Sequence, residues 1–78
     1  MEKLLHYVAE ALVEKTELVR VEREESDHED LYTLYLASDD LGRLIGRHGK
    51  TAEALRTLMS ALGRRHDRRV SLRIRELE

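Results

Sequence analysis

Apolar residues near the N-terminus, in "MEKLLHYVAEALVEK", fall at Leu4, Leu5, Val8, Ala9, Leu12 and Val13, while Glu10 and Glu14 face away. Steps of three and four are the period of one helix face, so an amphipathic helix is predicted over residues 2 to 15. From Thr16 to Arg23 the period drops to two, with Val19 and Val21 in alternation, which predicts a strand. "EESDHED" reads as a polar turn, and "LYTLYLA" then sets Tyr32, Leu34 and Leu36 on one face of a second strand, completing a hairpin. Asp39 or Asp40 suits the N-cap of a short helix, "LGRLI", and Gly46 suits its end as a left-handed residue. A longer helix is expected from near Lys50, turning Ala52, Leu55, Leu58, Met59 and Leu62 inward and capped by Gly63. In "VSLRIRE" Val70, Leu72 and Ile74 alternate with Ser71, Arg73 and Arg75, a third strand. The predicted order is helix, strand, strand, helix, helix, strand. With no linker, repeat or low-complexity tract, residues 1–78 read as one α+β domain.

Seventy-eight residues lie near the lower end of what one core can hold together. With 41% apolar and 38% charged residues, the core must be thin and the surface heavily charged. The absence of Cys excludes disulfides and thiolate metal sites. Histidines 6, 28, 48 and 66 form no pair at helical spacing, so no metal is expected. No nucleophile, base and orienting group occur at recognisable spacing, and neither catalysis nor a cofactor is expected. Glu10, Glu14 and Lys15 interrupt the N-terminal apolar residues. Neither a signal peptide nor a membrane span is expected from them, and the cytoplasm is the default location.

The net charge of −2 conceals a division. Up to residue 40 there are twelve acids against four bases, and from residue 41 ten bases against four acids. A cationic half suits a polyanion, although two oppositely charged halves of a soluble surface would look the same. Within the cationic half lies "LIGRHGKTAEAL". Its Gly49-Lys50-Thr51 invites comparison with a nucleotide-hydrolase phosphate loop, but that pattern requires Gly at position 44, which is Leu. Nor is the chain long enough for the sheet that such a loop serves. What remains is Gly46-Arg47-His48-Gly49, a GxxG between two predicted helices. Unpaired amides at the start of the second helix favour an anion, and glycines let a phosphodiester approach. Glycines that merely stop a helix and form a turn would give a similar pattern.

"GRLIGRHGKTAEALRTL" closely resembles the core signature of KH domains, with Leu44-Ile45 before the glycine pair. The element order is similar to the type II KH arrangement, and the whole chain resembles the small bacterial single-KH proteins of the KhpA family. That resemblance implies a three-stranded mixed sheet in the order α-β-β-α-α-β, with three helices on one face. It also implies a non-catalytic protein whose GxxG loop grips single-stranded RNA over about four nucleotides. Carried over by motif, Gly46, Arg47, His48 and Gly49 form the clamp. Leu44, Ile45 and Arg43 belong to the preceding segment, and Lys50, Thr51 and Ala52 open the next helix. Ala52 departs from the usual Ile, which bears on the depth of the base groove. With only Tyr7, Tyr32 and Tyr35 as aromatics, phosphate contacts should outweigh stacking. The family further implies an RNA chaperone or post-transcriptional regulator linked to cell division, cell shape and envelope control. A larger KH-containing partner protein is implied as well, and a homodimer is compatible with the sequence. "GRRHDRR", Arg73 and Arg75 would either extend an RNA path or serve solubility and the helix dipole. Two other readings stay open: a helix-turn-helix DNA binder over residues 40 to 63, and a protein–protein interaction domain.

Overall fold

The computed structural model describes residues 1–47 and 49–78, with the backbone alone at 46 and 47. Helix α1 (Glu2–Leu12) leads through a 3₁₀ turn at Thr16–Leu18 into β1 (Arg20–Glu25) and β2 (Glu29–Leu36). Helix α2 (Ser38–Gly42), a π-helical turn (Arg43–Arg47), α3 (Gly49–Arg65) and β3 (Arg69–Glu76) follow. Strand β2 is central, antiparallel to β1 and parallel to β3. The fold is therefore α+β with a mixed three-stranded sheet, in the order and topology that the type II KH resemblance implies.

Period-two patterning sorts the sheet into two faces. Tyr32, Leu34 and Leu36 of β2 and Val70, Leu72 and Ile74 of β3 are buried with Leu5, Ala9, Leu44, Ala52, Leu55 and Met59 of the helical layer. Each large side chain so buried contributes about 2 kcal/mol. Helix α1 packs on β1, and α2 and α3 on β3. The other face carries Arg20, Glu22, Ser71, Arg73 and Arg75, all exposed.

Several local expectations are corrected. Helix α1 ends at Leu12, where Val13 turns extended, and its apolar stripe is narrower than expected: Leu4 and Leu12 are exposed. The first strand begins at Arg20, because Val19 N–H donates to the Thr16 carbonyl and closes a 3₁₀ turn instead. Asp39 and Asp40 lie inside the first turn of α2, beginning at Ser38, and no side chain caps it. There the helix dipole still favours carboxylates. Gly46 does not stop the helix, since the chain keeps winding through Arg47. In α3, Leu58 is 40% exposed, and Leu62 only partly buried.

Gly63 is not a cap either. It sits within α3, where an added Cβ would lie 2.5 Å from Val70 Cγ2 and 2.7 Å from the Arg68 carbonyl. Its small size lets α3 close onto β3. The helix stops instead at Asp67, whose φ of 55° is left-handed. Arg68 N–H bonds to the Gly63 carbonyl at 2.9 Å and Asp67 N–H to that of Arg64 at 3.3 Å, the paired closure of a Schellman motif.

Candidate functional site

The segment from α2 through the π-helical turn to α3 brings the two glycines of GxxG between helices. Gly49 is the first residue of α3, and no described glycine has a positive φ. A Cβ at Gly49 would meet nothing within 4 Å among the described residues. Neither backbone geometry nor internal packing therefore requires glycine there, and its small size leaves open approach from outside. Helix α3 runs 17 residues and has no acid in its first turn, so its opening amides face no competing carboxylate of their own. Lys50 is exposed beside them. His48 and the side chain of Arg47, both expected in the clamp, lie outside the described residues.

The apolar pair before the glycines divides its work. Leu44 is buried in the core, whereas Ile45 is 46% exposed. Ala52 is also buried, so the small side chain at this position serves helix packing. Thr51 is partly buried and joins Leu12, Leu44, Asp40 and Arg43 around a cleft of about 240 Å³.

Arg43, on the surface, is held in a network unforeseen in the sequence. Its guanidinium binds Glu14 and donates to Asp40 Oδ1 at 2.8 Å. Asp40 is 4% exposed. It also accepts the backbone N–H groups of Glu14 and Lys15, at 3.1 Å each. Burial alone would raise the Asp40 pKa, but the two amides and the Arg43 charge prevail and hold it below the usual carboxylate range. One carboxylate thus fastens the chain leaving α1 to the segment carrying GxxG. Amides 25 and 26 positions away have no signature in the sequence, which is why this link could not be read there.

A second cleft runs between α3 and β3. Ser60, Arg64, Arg68 and Arg69 line it, and elsewhere along the same two elements Arg56 Nε donates to the Leu72 carbonyl at 3.4 Å. The basic run "GRRHDRR" splits in two: Arg64 and Arg65 are exposed, whereas Arg68 points back at Asp30. Among the described residues, no three His, Asp or Glu converge to hold a metal, and no helix is long and apolar enough to cross a membrane.

Residues 2–74 match the family model of the KhpA/KhpB KH domain. The chain belongs to the KhpA/KhpB KH-domain family. It is 38% identical over 76 residues to the RNA-binding protein KhpA of Chlamydia pneumoniae, covering 97% of each chain. Against the RNA-binding protein KhpA of Listeria monocytogenes it is 38% identical, covering 97% of this chain and all of the relative. With that of Treponema pallidum it shares 40% over 73 residues, 94% of this chain and 91% of the relative. No solved structure matches it. KH domains are non-catalytic modules, and this member of the KhpA/KhpB family is accordingly no enzyme.

Proposed function

We propose that this protein is a single KH domain, residues 1–78, that binds single-stranded RNA without sequence-reading chemistry of its own. Gly46, Arg47, His48 and Gly49 grip the phosphodiester, with Lys50 and Thr51 adding the amides and cation of the α3 start. Ile45 offers apolar surface to a base. Leu44 and Ala52 support the loop from the core, and Arg43 braces it through Asp40 and Glu14. The observation carrying this reading is the open space at Gly49, at the head of a helix with no acid in its first turn. Three relatives that match nearly the whole chain bear the name RNA-binding protein. By the same kinship the protein acts in the cytoplasm as an RNA chaperone or post-transcriptional regulator serving cell division, cell shape and envelope synthesis. A larger KH-containing partner and self-association belong to this reading.

Fluorescence anisotropy with single-stranded RNA and duplex DNA of equal length tests it. RNA is expected to bind more tightly at the same salt. If about three phosphates are neutralised, log K should fall against log salt with a slope of about −2, from about −0.7 per phosphate. Tighter duplex DNA binding would favour a helix-turn-helix reader, and a salt-independent affinity would remove the phosphate clamp.

A further inference from the structure

The helix-free face of the sheet has a charge pattern that the clamp does not use. Register places Arg75 beside Tyr35 and Tyr35 beside Arg20, so one aromatic residue stands between two arginines across the three strands. One step along, Arg73 stands beside Thr33, and further on Arg69 beside Glu29. Strand β3 thus shows three outward arginines, 69, 73 and 75, along the edge of the sheet. Each two-residue step along a parallel strand advances about 6.6 Å. That is comparable to the step between successive phosphates of an extended nucleic-acid strand.

The described arginines differ in how their charge is met. Arg23, Arg43 and Arg68 are held in ion pairs with carboxylates. Among the described residues, Arg69, Arg73 and Arg75 have no carboxylate within ion-pair distance. Exposed and alternating, they leave their charge to solvent. The acids of the same face are Glu22 and Glu24 on β1 and Glu29 on β2, and Glu76 and Glu78 stand at the C-terminal end of β3. The guanidiniums of Arg20, Arg73 and Arg75 are therefore the groups of this face that would attract a phosphodiester. Tyr35 is partly buried, and its hydroxyl donates to Glu22 at 3.2 Å, which fixes the ring within this row. Around these residues lies a cleft of about 530 Å³, lined by Arg20, Tyr35, Arg73 and Arg75 together with the acids Glu22, Glu76 and Glu78.

We infer that the outer face of β3 is a second RNA-contact surface, on which Arg73 and Arg75 neutralise phosphates and Tyr35 stacks a base of a strand that extends beyond the GxxG loop. This rests on the RNA-binding reading above but concerns residues on the face that the helices leave uncovered. It makes site size the discriminating quantity. An RNA of about four nucleotides fills the clamp alone. One of about twelve reaches the edge strand.

The test compares uridine oligonucleotides of both lengths, by anisotropy, on the full chain and on Arg73→Gln/Arg75→Gln. The longer RNA should lose roughly tenfold or more in affinity. Its salt slope should become shallower by about 1.4, two phosphates at about 0.7 each. The short RNA should bind the variant as it binds the parent. Tyr35→Leu should weaken the longer RNA about fivefold or more, and Tyr35→Phe should not, because stacking needs the ring and not the hydroxyl. Thermal unfolding of Arg73→Gln/Arg75→Gln should match the parent, as expected of exposed positions. Unchanged binding of the longer RNA to a folded Arg73→Gln/Arg75→Gln variant would overturn the inference while leaving the clamp intact. Equal weakening of both lengths would overturn it too, showing a general field effect. A parent that binds neither RNA would defeat the clamp reading first. Loss of self-association in sedimentation, with RNA binding retained, would reassign the face to protein contact.

Discussion

Two buried aspartates, Asp30 at the start of β2 and Asp40 in α2, are satisfied in different ways. Asp30, 2% exposed, receives Arg68 Nε and Nη2 in a bidentate pair at 2.9 Å each, with Arg23 Nη2 at 3.3 Å. Arg68 also donates to the carbonyls of Ser26, Asp27 and Glu29, so its one guanidinium ties the β1–β2 turn to the entry of β3. Asp40 instead takes two backbone amides and one guanidinium. The first cluster joins strands that define the sheet. The second joins the end of α1 to the segment bearing the loop. Similar chemistry thus serves the fold in one cluster and the placement of the site in the other.

Removing Asp30 should have the largest effect on stability. Asp30→Ala leaves two guanidiniums converging without their anion, and loss of about 3 kcal/mol is expected in chemical denaturation. RNA affinity of the molecules that remain folded should be unchanged. An equal loss of affinity would erase the distinction between the two clusters.

Gly63→Ala comes next, because the methyl group meets a backbone carbonyl as well as the tip of Val70. Overpacking of this kind costs about 1 to 3 kcal/mol, read as a lower Tm. It sharpens the comparison, since the strain falls between α3 and the entry of β3, on the Asp30 side.

Asp40→Asn keeps the shape but gives up the charge, and turns an N–H group toward an amide donor. A stability loss of about 2 kcal/mol is expected. Unlike Asp30→Ala, it should also weaken RNA binding, because the loop-bearing segment loses its fastening to α1. Normal affinity in a folded Asp40→Asn protein would show that the fastening serves the fold alone.

Acid should act on both clusters. The hydrogen bonds from Arg68, ahead of the nearby Arg23 charge, hold the Asp30 carboxyl below its usual range despite burial, and Asp40 is held low as described above. A carboxylate with a depressed folded pKa adds stability that is complete above its unfolded value, about 3.9, and is lost as pH falls below it through the folded value. Tm should therefore fall steeply below about pH 4, and less steeply in Asp30→Ala. An identical acid profile in that variant would exclude Asp30 from the effect.

Much of this layout could be read from periodicity. The switch from three-and-four spacing to alternation marks α1, the hairpin, α3 and β3, since α1, β2, α3 and β3 each bury one face in the same core and Val21 of β1 packs against it. Local chemistry was read less well where distant contacts decide it. Gly63 looks like a helix stop from its neighbours, but the approach of Val70 is what excludes a side chain. Asp67 takes the left-handed position that glycine was expected to hold. Asp40 resembles an N-cap until the amides of Glu14 and Lys15 are seen to reach it. Arg68 sits in a basic run, and only the fold turns it toward an acid 38 positions away. The GxxG motif was visible at once, yet the open surroundings of Gly49 became evident only from the structure.

The clamp is tested most directly by reversing charge between its glycines. Arg47→Asp together with His48→Asp keeps Gly46 and Gly49 while placing two carboxylates where the phosphodiester should lie. Thermal unfolding and single-stranded RNA affinity would be measured on the same preparation. The expected result is a Tm close to the parent's and at least a tenfold loss of affinity, from about 1.5 to 3 kcal/mol for each ionic hydrogen bond removed. A folded double variant that binds RNA as tightly as the parent would contradict the clamp.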